Sequence, residues 1–415
     1  MGREFDVIIV GAGASGLAAG ISAARKGARV LILEHMESAG KKILATGNGK
    51  CNFTNEKQGI SYYRGKNPAF VLPVFAQFGL AETLTLFEEL GIVPKNKRDG
   101  YYYPASGQAS SVREVLLMEC RRLKVRIAYN VGIRSIRKEQ NAFLFDTKQG
   151  EFQSISCIIA TGGRAAKRTG SDGSGIPYIV GFGHKVTDIV PALVALQGKQ
   201  SFLRNIAGIR AENRVEIYIE NEKIADETGE LQLTEYGVSG IPVFQLSRYA
   251  SYGLLEGKSV HVLLDFLPWQ TEQETGAMLE KRFGQNGSGK SAKEALIGLI
   301  PEKLIETFLT VAEIALEKRA GKCSIEERER LVSVMRHLRV DITGTKGMDA
   351  AQVTAGGVDT DEIDADTMES RLVPGLYFAG EVVDIDGMCG GYNLQWAWSS
   401  GWVAGSHAGE GSKKS

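Results

Sequence analysis

The sequence predicts an α/β fold: a mostly parallel sheet assembled from both ends of the chain, with a mixed β (barrel-like) and helical domain inserted between them. Three observations predict it. The chain opens with an apolar run, a glycine-rich turn, a helix-spaced segment and a second apolar run. Strand-plus-glycine texture fades after about residue 190 and returns at 340–384. Glycine supplies 50 of the 415 residues, well above the ~7% typical of soluble chains, and it clusters without a repeating period.

Residues 5–10 form a strand that ends at Gly11. Residues 14–26 carry Leu17, Ile21 and Ala24 on one helical face, and Gly27 stands where a helix C-cap is expected. Residues 29–33 make a second buried strand closed by Glu34, so the unit is β-α-β with strands apolar on both faces. Amphipathic helices are expected at 80–90 and 108–123, and strands at 125–129, 131–136, 142–147 and 152–160. Residues 209–224 alternate as an antiparallel strand would, 259–266 is another strand, 271–335 reads as several helices, and a last helix covers 394–405. The expected domains are therefore 1–190 with 340–415, and an insertion at 191–339 whose β part is 191–266 and whose helical part is 267–339.

Composition excludes several classes. Lys plus Arg and Asp plus Glu are both 49, giving zero net charge. That argues against a nucleic-acid partner, which calls for a basic excess. The five cysteines are scattered and form no metal-spaced cluster, so no metal is expected and a reducing cytoplasmic location is. No apolar run near the start is long enough for a bilayer span or a signal peptide, so no membrane partner is expected. Nothing fixes the oligomeric state.

The first motif is Gly11-Ala12-Gly13-Ala14-Ser15-Gly16, between a strand and a helix, with Glu34 at the end of the next strand. This is a Rossmann-like dinucleotide fingerprint in its proper context. Gly11 allows the tight turn, Gly13 lets the backbone approach a pyrophosphate, and Gly16 lets helix and sheet pack closely. Glu34 suits a ribose hydroxyl and would repel a 2′-phosphate. FAD and NAD share this signature. Two further strands ending in Thr161-Gly162-Gly163 and Ala379-Gly380-Glu381 resemble segments of the glutathione-reductase-like flavoproteins and favour FAD.

Two more segments narrow the resemblance. One runs from Gly40 to Asn55 and contains Lys42, Gly47, Asn48, Gly49, Lys50, Cys51 and Asn52. The other is Cys389-Gly390-Gly391-Tyr392-Asn393-Leu394-Gln395-Trp396. With Val353 to Val358, they resemble a bacterial flavoprotein family whose members are labelled aminoacetone-oxidase-like or bile-acid 3-dehydro-Δ4,6-reductase-like. The resemblance implies that Gly11, Gly13, Ala14, Ser15 and Gly16 hold the pyrophosphate and Glu34 the adenosine ribose. It implies Lys42 near the phosphates, and Lys50, Cys51 and Asn52 near the flavin or ribityl chain. It places Ile133 near adenine, Thr161 and Gly162 on the adenosine side, and Gly380, Glu381, Asn393 and Leu394 by the ribityl and isoalloxazine. Trp396, Trp398 and Trp402 suit core packing, and Cys51 and Cys389 suit buried space-filling. The resemblance implies a His in many family members at the position that Tyr236 holds in this chain.

The segment Gly284 to Ser291 fits a P-loop pattern, but charged helical sequence precedes it where a strand is required, so it is expected to be an inter-helix loop. No second complete dinucleotide fingerprint occurs mid-chain, so NADH or NADPH would act as a transient donor without a dedicated domain. The leading expectation is an FAD-dependent oxidoreductase moving hydride through flavin N5, fed by NAD(P)H and reducing an activated C=C of a small or medium substrate. An FAD amine oxidase producing hydrogen peroxide is the alternative. A tRNA-modifying flavoprotein and a non-catalytic flavin sensor are weaker ones. No catalytic residue is assigned; Tyr392 is a candidate proton donor, with flavin stacking or a structural role equally open.

Overall fold

The computed structural model describes residues 3–97, 100–284 and 289–411. The chain divides into two compact units, 1–189 with 352–415, and 190–351.

The first unit is built on a seven-stranded sheet. Strand β1 (Arg3–Val10) leads through helix α1 (Ala14–Arg25) to β2 (Val30–Leu33), and the strands pair in parallel. Helix α2 (Ala109–Arg122) crosses to β3 (Arg126–Ala128), which adds to β2 in parallel. Strands β4 (Ile133–Glu139) and β5 (Ala142–Thr147) form an antiparallel extension. Strand β6 (Gly150–Ile159) serves both parts. It runs parallel to β1, its first half pairs antiparallel with β5, and its last three residues pair parallel with 376–378. Val7 to Ile9 and Cys157 to Ile159 are fully buried, which is why these runs are continuously apolar.

The second unit is a closed six-stranded antiparallel barrel with helices. Its strands are β7 (Leu196–Gly198), β8 (Arg210–Ile219), β9 (Glu222–Thr234), β10 (Gly237–Gly240), β11 (Val260–Asp265) and β12 (Leu338–Thr345). Val215, Ile217, Leu231, Leu233 and Val340 are buried while their neighbours along the strands are at least partly exposed, giving the alternation visible at 209–224. Helix α3 (Ile241–Leu255) follows β10, and helices α4 (Glu272–Phe283), α5 (Ala292–Leu296), α6 (Glu302–Val311) and α7 (Ile325–Arg336) lie between the last two strands. The sequence division at 340 falls inside β12; that strand pairs with β7 and β11, so the chain re-enters the first unit at 352.

The chain then supplies β13 (Leu376–Phe378) and the long helix α8 (Tyr392–Gly411). Helix α8 starts two residues before and ends six residues after the expected 394–405. Its extra length is held by packing, because Gly401, Gly405 and Gly409 meet α1 at one-turn intervals. A Cβ on these glycines would lie 2.3 Å from the Ser15 carbonyl oxygen, 2.2 Å from that of Ala19 and 3.0 Å from that of Ala23. Ser22 Oγ also donates to the Trp402 carbonyl at 2.7 Å. Such close backbone approach offsets the low helix propensity of glycine.

Candidate dinucleotide site

The turn between β1 and α1 is shaped by clashes that only glycine avoids. Gly11 has φ +101°, and a Cβ there would lie 2.5 Å from the Ala160 carbonyl oxygen, where β1 and β6 end side by side. A Cβ on Gly16 would lie 1.9 Å from the Gly11 carbonyl oxygen. Gly13, the residue capping α1, faces open space, with no atom within 4 Å of such a Cβ. A helix N-terminus with an unobstructed approach suits a phosphate. Glu34 is buried and accepts from the Ala12 amide at 2.7 Å through one oxygen and from the Met36 amide at 2.8 Å through the other. Each oxygen keeps a second lone pair for a ribose hydroxyl. The Val131 amide donates to the Glu34 carbonyl at 2.9 Å, which sets half-buried Ile133 two residues from that end.

The later motif segments converge on the same turn. Gly380, with φ +78°, lies over α1, and a Cβ there would be 2.5 Å from Ser15 Oγ. Its amide donates to Ser400 Oγ at 2.9 Å, and its carbonyl accepts from Trp396 Nε1 at 3.1 Å. Lys42 Nζ pairs with Glu381 Oε2 at 2.7 Å, and Glu381 Oε1 accepts from the Thr354 amide at 2.9 Å. Thr354 Oγ1 in turn accepts from the amides of Arg164 and Ala165 at 2.8 and 3.0 Å. This relay ties four glycine-rich segments together, with Glu381 held in place by both oxygens. Thr354 lies in a segment quoted for the resemblance but not among the expected site residues; only the fold reveals its part.

At the other end, Gly47, Asn48, Gly49 and Cys51 all have left-handed φ between 53° and 79°. Lys50 is exposed. Cys51 is fully buried, and burial pushes its thiol up to about 12, which suits an inert space-filler; burial raises the Cys389 thiol too. Asn52 Oδ1 is buried without a partner and lies 3.0 Å from the Cβ position of Gly391. The Asn393 side chain is committed to its own loop: it accepts from the Gly387 amide at 2.8 Å and donates to the Gly387 carbonyl at 2.7 Å. Only the backbone of Asn393 and half-buried Leu394 are therefore left to face a ligand from the start of α8. Trp396 and Trp398 are core residues, and Trp398 Nε1 donates to the Phe53 carbonyl at 2.9 Å. Trp402 is half-buried and stacks on Phe78 at 4.7 Å.

Thr161 and Gly162 follow β6. Gly162 has φ +71°, and Ser171 Oγ, buried and unpartnered, lies 3.0 Å from its Cβ position. Orphaned polar atoms at Ser171 and Asn52, together with the open approach at Gly13, fit a long polar ligand with a diphosphate at its middle. Among the described residues, no group of His, Cys, Asp and Glu side chains is arranged to hold a metal. No single helix among them is long and apolar enough to cross a membrane; the pair Pro68–Gln77 and Leu80–Glu89, bent by 48°, passes that test only when joined.

Two sequence features lie elsewhere. Gln285 to Ser288 of the P-loop-like segment fall outside the described residues. Its flanks are a helix before it and Ser291 capping α5, whose Oγ accepts from the Glu294 amide at 3.2 Å. Tyr236 precedes β10, and Lys346 Nζ stands 4.4 Å from its ring centroid.

Fold and cradle together define a dinucleotide-binding flavoenzyme of the oxidoreductase class. The model of the HI0933-like protein Rossmann domain matches residues 5–407, and the chain belongs to that family. It is 44% identical to a 3-dehydro-bile acid delta(4,6)-reductase of Clostridium scindens over 407 residues, 97% of this chain and 98% of the relative. It is 32% identical to a ribosomal RNA dihydrouridine synthase of Escherichia coli over 404 residues, 97% of each chain. Among solved structures, the open conformation of a flavocytochrome c3 fumarate reductase aligns with TM-score 0.50 and 15% identity, covering 99% of this chain and 79% of that one, a likeness of fold.

Proposed function

We propose that the protein is an FAD-dependent reductase that saturates a carbon–carbon double bond conjugated to a carbonyl, with NADH or NADPH as the transient donor. The observation that carries this reading is the 44% identity to the Clostridium scindens reductase along nearly the whole of both chains. When bound, FAD supplies hydride chemistry at N5. The chain's own residues hold and tune it. The N-terminal amides of α1, from Gly13 to Gly16, would grip the pyrophosphate, and Glu34 would hold the adenosine ribose. Thr161 and Gly162 would close the adenosine side, with Ile133 near adenine. Lys42, neutralised and oriented by Glu381, would stand by the phosphates without adding a net charge to the site. Lys50, Cys51 and Asn52 would meet the ribityl and flavin end, with Gly380 and Leu394. The first amides of α8, at Asn393, would favour negative charge on the ring they face.

The charge balance that argues against nucleic acid does not settle the substrate. Relatives 32% and 31% identical are named for dihydrouridine formation in ribosomal RNA. Dihydrouridine also arises by saturating a double bond conjugated to a carbonyl, so an RNA uridine is the second reading and shares the chemistry. The five cysteines are all free thiols, in keeping with a cytoplasmic location.

The test is anaerobic mixing of the yellow protein with NADH and with NADPH, then addition of a 3-oxo-Δ4 steroid or of unmodified ribosomal RNA. Bleaching by a donor and return of colour with the steroid supports the leading reading. Return of colour with RNA alone moves the assignment to the second. No bleaching by either donor removes nicotinamide as the electron source.

A further inference from the structure

His184 is enclosed where three segments of the first unit meet, and its side chain is fully buried. Its Nδ1 stands 3.0 Å from Glu362 Oε2, its Nε2 stands 2.7 Å from Ser370 Oγ, and Phe378 packs edge-on with ring centroids 4.8 Å apart. Ser370 Oγ already accepts from the amides of Leu372 and Val373 at 3.1 and 2.8 Å. A hydroxyl has two lone pairs and one proton, so it is the Ser370 proton that lies between Oγ and Nε2. The imidazole is therefore neutral, and its own hydrogen sits on Nδ1 and is donated to Glu362. The Glu–His–Ser order is that of a hydrolase triad, but a buried serine with both lone pairs occupied has none with which to attack. What the arrangement does is oppose a second proton, because a hydrogen on Nε2 would point at an oxygen that cannot accept it. Burial acts in the same direction and outweighs the pull of Glu362.

The three segments lead to the cradle. Glu362 Oε2 also accepts from the Lys185 amide at 2.8 Å, and the Thr187 amide donates to the Gly357 carbonyl at 2.9 Å. The amide of the next residue, Val358, donates to the Val382 carbonyl at 2.9 Å, just past Glu381. On the other side, the Ser370 amide donates to the Leu376 carbonyl at 2.7 Å and the Phe378 amide to the Met368 carbonyl at 3.1 Å, which braces β13 just before Gly380. The Gly380–Glu381 wall is thus held from both sides by chain that His184 pins.

We propose that His184 is a proton-operated latch on coenzyme binding: the neutral imidazole holds the Gly380–Glu381 wall in place, and the protonated one frees the 370–373 turn and weakens the grip on FAD. This rests on FAD as the ligand of the cradle, and not on the donor or the substrate. Affinity is then full above about pH 6.5 and falls as pH drops toward the folded-state value of His184. The charged group facing the ring is Glu362. Lys185 adjoins it on its own segment, Asp359 and Asp361 precede Glu362 and pair with Lys66, Glu369 and Arg371 flank Ser370, and Tyr377 precedes Phe378.

The experiment titrates the flavin-free full chain with FAD, read by flavin fluorescence, from about pH 7.5 to about pH 5. Wild type should lose roughly fivefold or more in affinity over that range, while His184→Gln, or His184→Asn where the first variant does not fold, should stay within about twofold. Wild type and variants all keep His35, whose Nδ1 lies 3.7 Å from Glu34, so its contribution cancels in the comparison. Proton and coenzyme binding are reciprocal, so NMR of wild type carrying nitrogen-labelled histidine should show the His184 midpoint lower by about 0.7 unit or more with FAD bound. A wild-type affinity that falls no further than the variant's, or a His184 midpoint unmoved by FAD, overturns the latch. A chain that binds no FAD even at about pH 7.5 overturns the coenzyme reading, and the latch with it.

Discussion

Gly13 and Gly16 stand three residues apart in one turn and call for opposite outcomes. A side chain at Gly13 meets no protein atom within 4 Å, whereas one at Gly16 meets the Gly11 carbonyl at 1.9 Å. Gly13→Leu should therefore keep its melting temperature in the ligand-free state and lose at least tenfold in FAD affinity, about 1.4 kcal/mol, as read by flavin fluorescence titration. Gly16→Ala should unfold more easily with or without flavin. The Lys42–Glu381 pair is partly shielded, with side-chain exposures of 27% and 18%. A double-mutant cycle with Lys42→Met and Glu381→Gln, read by urea unfolding, should give a coupling of about 1 kcal/mol. His184 offers a pH test. Its side chain is buried between Glu362 and Ser370 at 3.0 and 2.7 Å, and burial outweighs the carboxylate, holding the imidazole below its ordinary value. The unfolded chain then binds the proton more readily. Stability should be full above about pH 6.5 and fall as pH drops toward the folded-state value. His184→Asn should flatten that part of the profile in thermal melts across pH.

At the scale of elements, α8 carries the most consequence. Its glycine stripe lets it lie against α1 closely enough that Ser400 and Trp396 reach Gly380, so one helix sets the height of the cradle's far wall. Gly405→Leu must push against the Ala19 carbonyl, and overpacking of that kind costs about 1–3 kcal/mol, measurable as a lowered urea midpoint. The parallel strands and α1 were legible because buried runs and a capped helix carry strong periodic signals. The last turn of α8 was not, because Gly409 and Gly411 read as a helix end until a partner helix is present to receive them. In the same way, the glycines at Gly11, Gly16 and Gly380 were legible as tight turns, while the part of Thr354 was not, because a threonine that caps two amides across 190 residues of chain leaves no local pattern.

For the whole molecule, the sequence made both units visible as textures, alternation and amphipathic helices in one and glycine-punctuated apolar runs in the other. It placed the return at 340, where the structure has it at 352, because β12 reads as either kind of strand until its barrel partners are known. Net charge was the weakest guide: a neutral total says nothing of local surface, and relatives named for RNA chemistry share this fold along nearly their full length.

The pairing of α1 with α8 also bears on biosynthesis. Ser22 and Trp402, which touch in the finished fold, are 380 positions apart in the chain. A ribosome releases the first of these helices long before the second, so α1 emerges without the helix that packs on it; fragments stalled short of α8 should leave the ribosome colourless, and pelleted stalled complexes that carry flavin absorbance would contradict this.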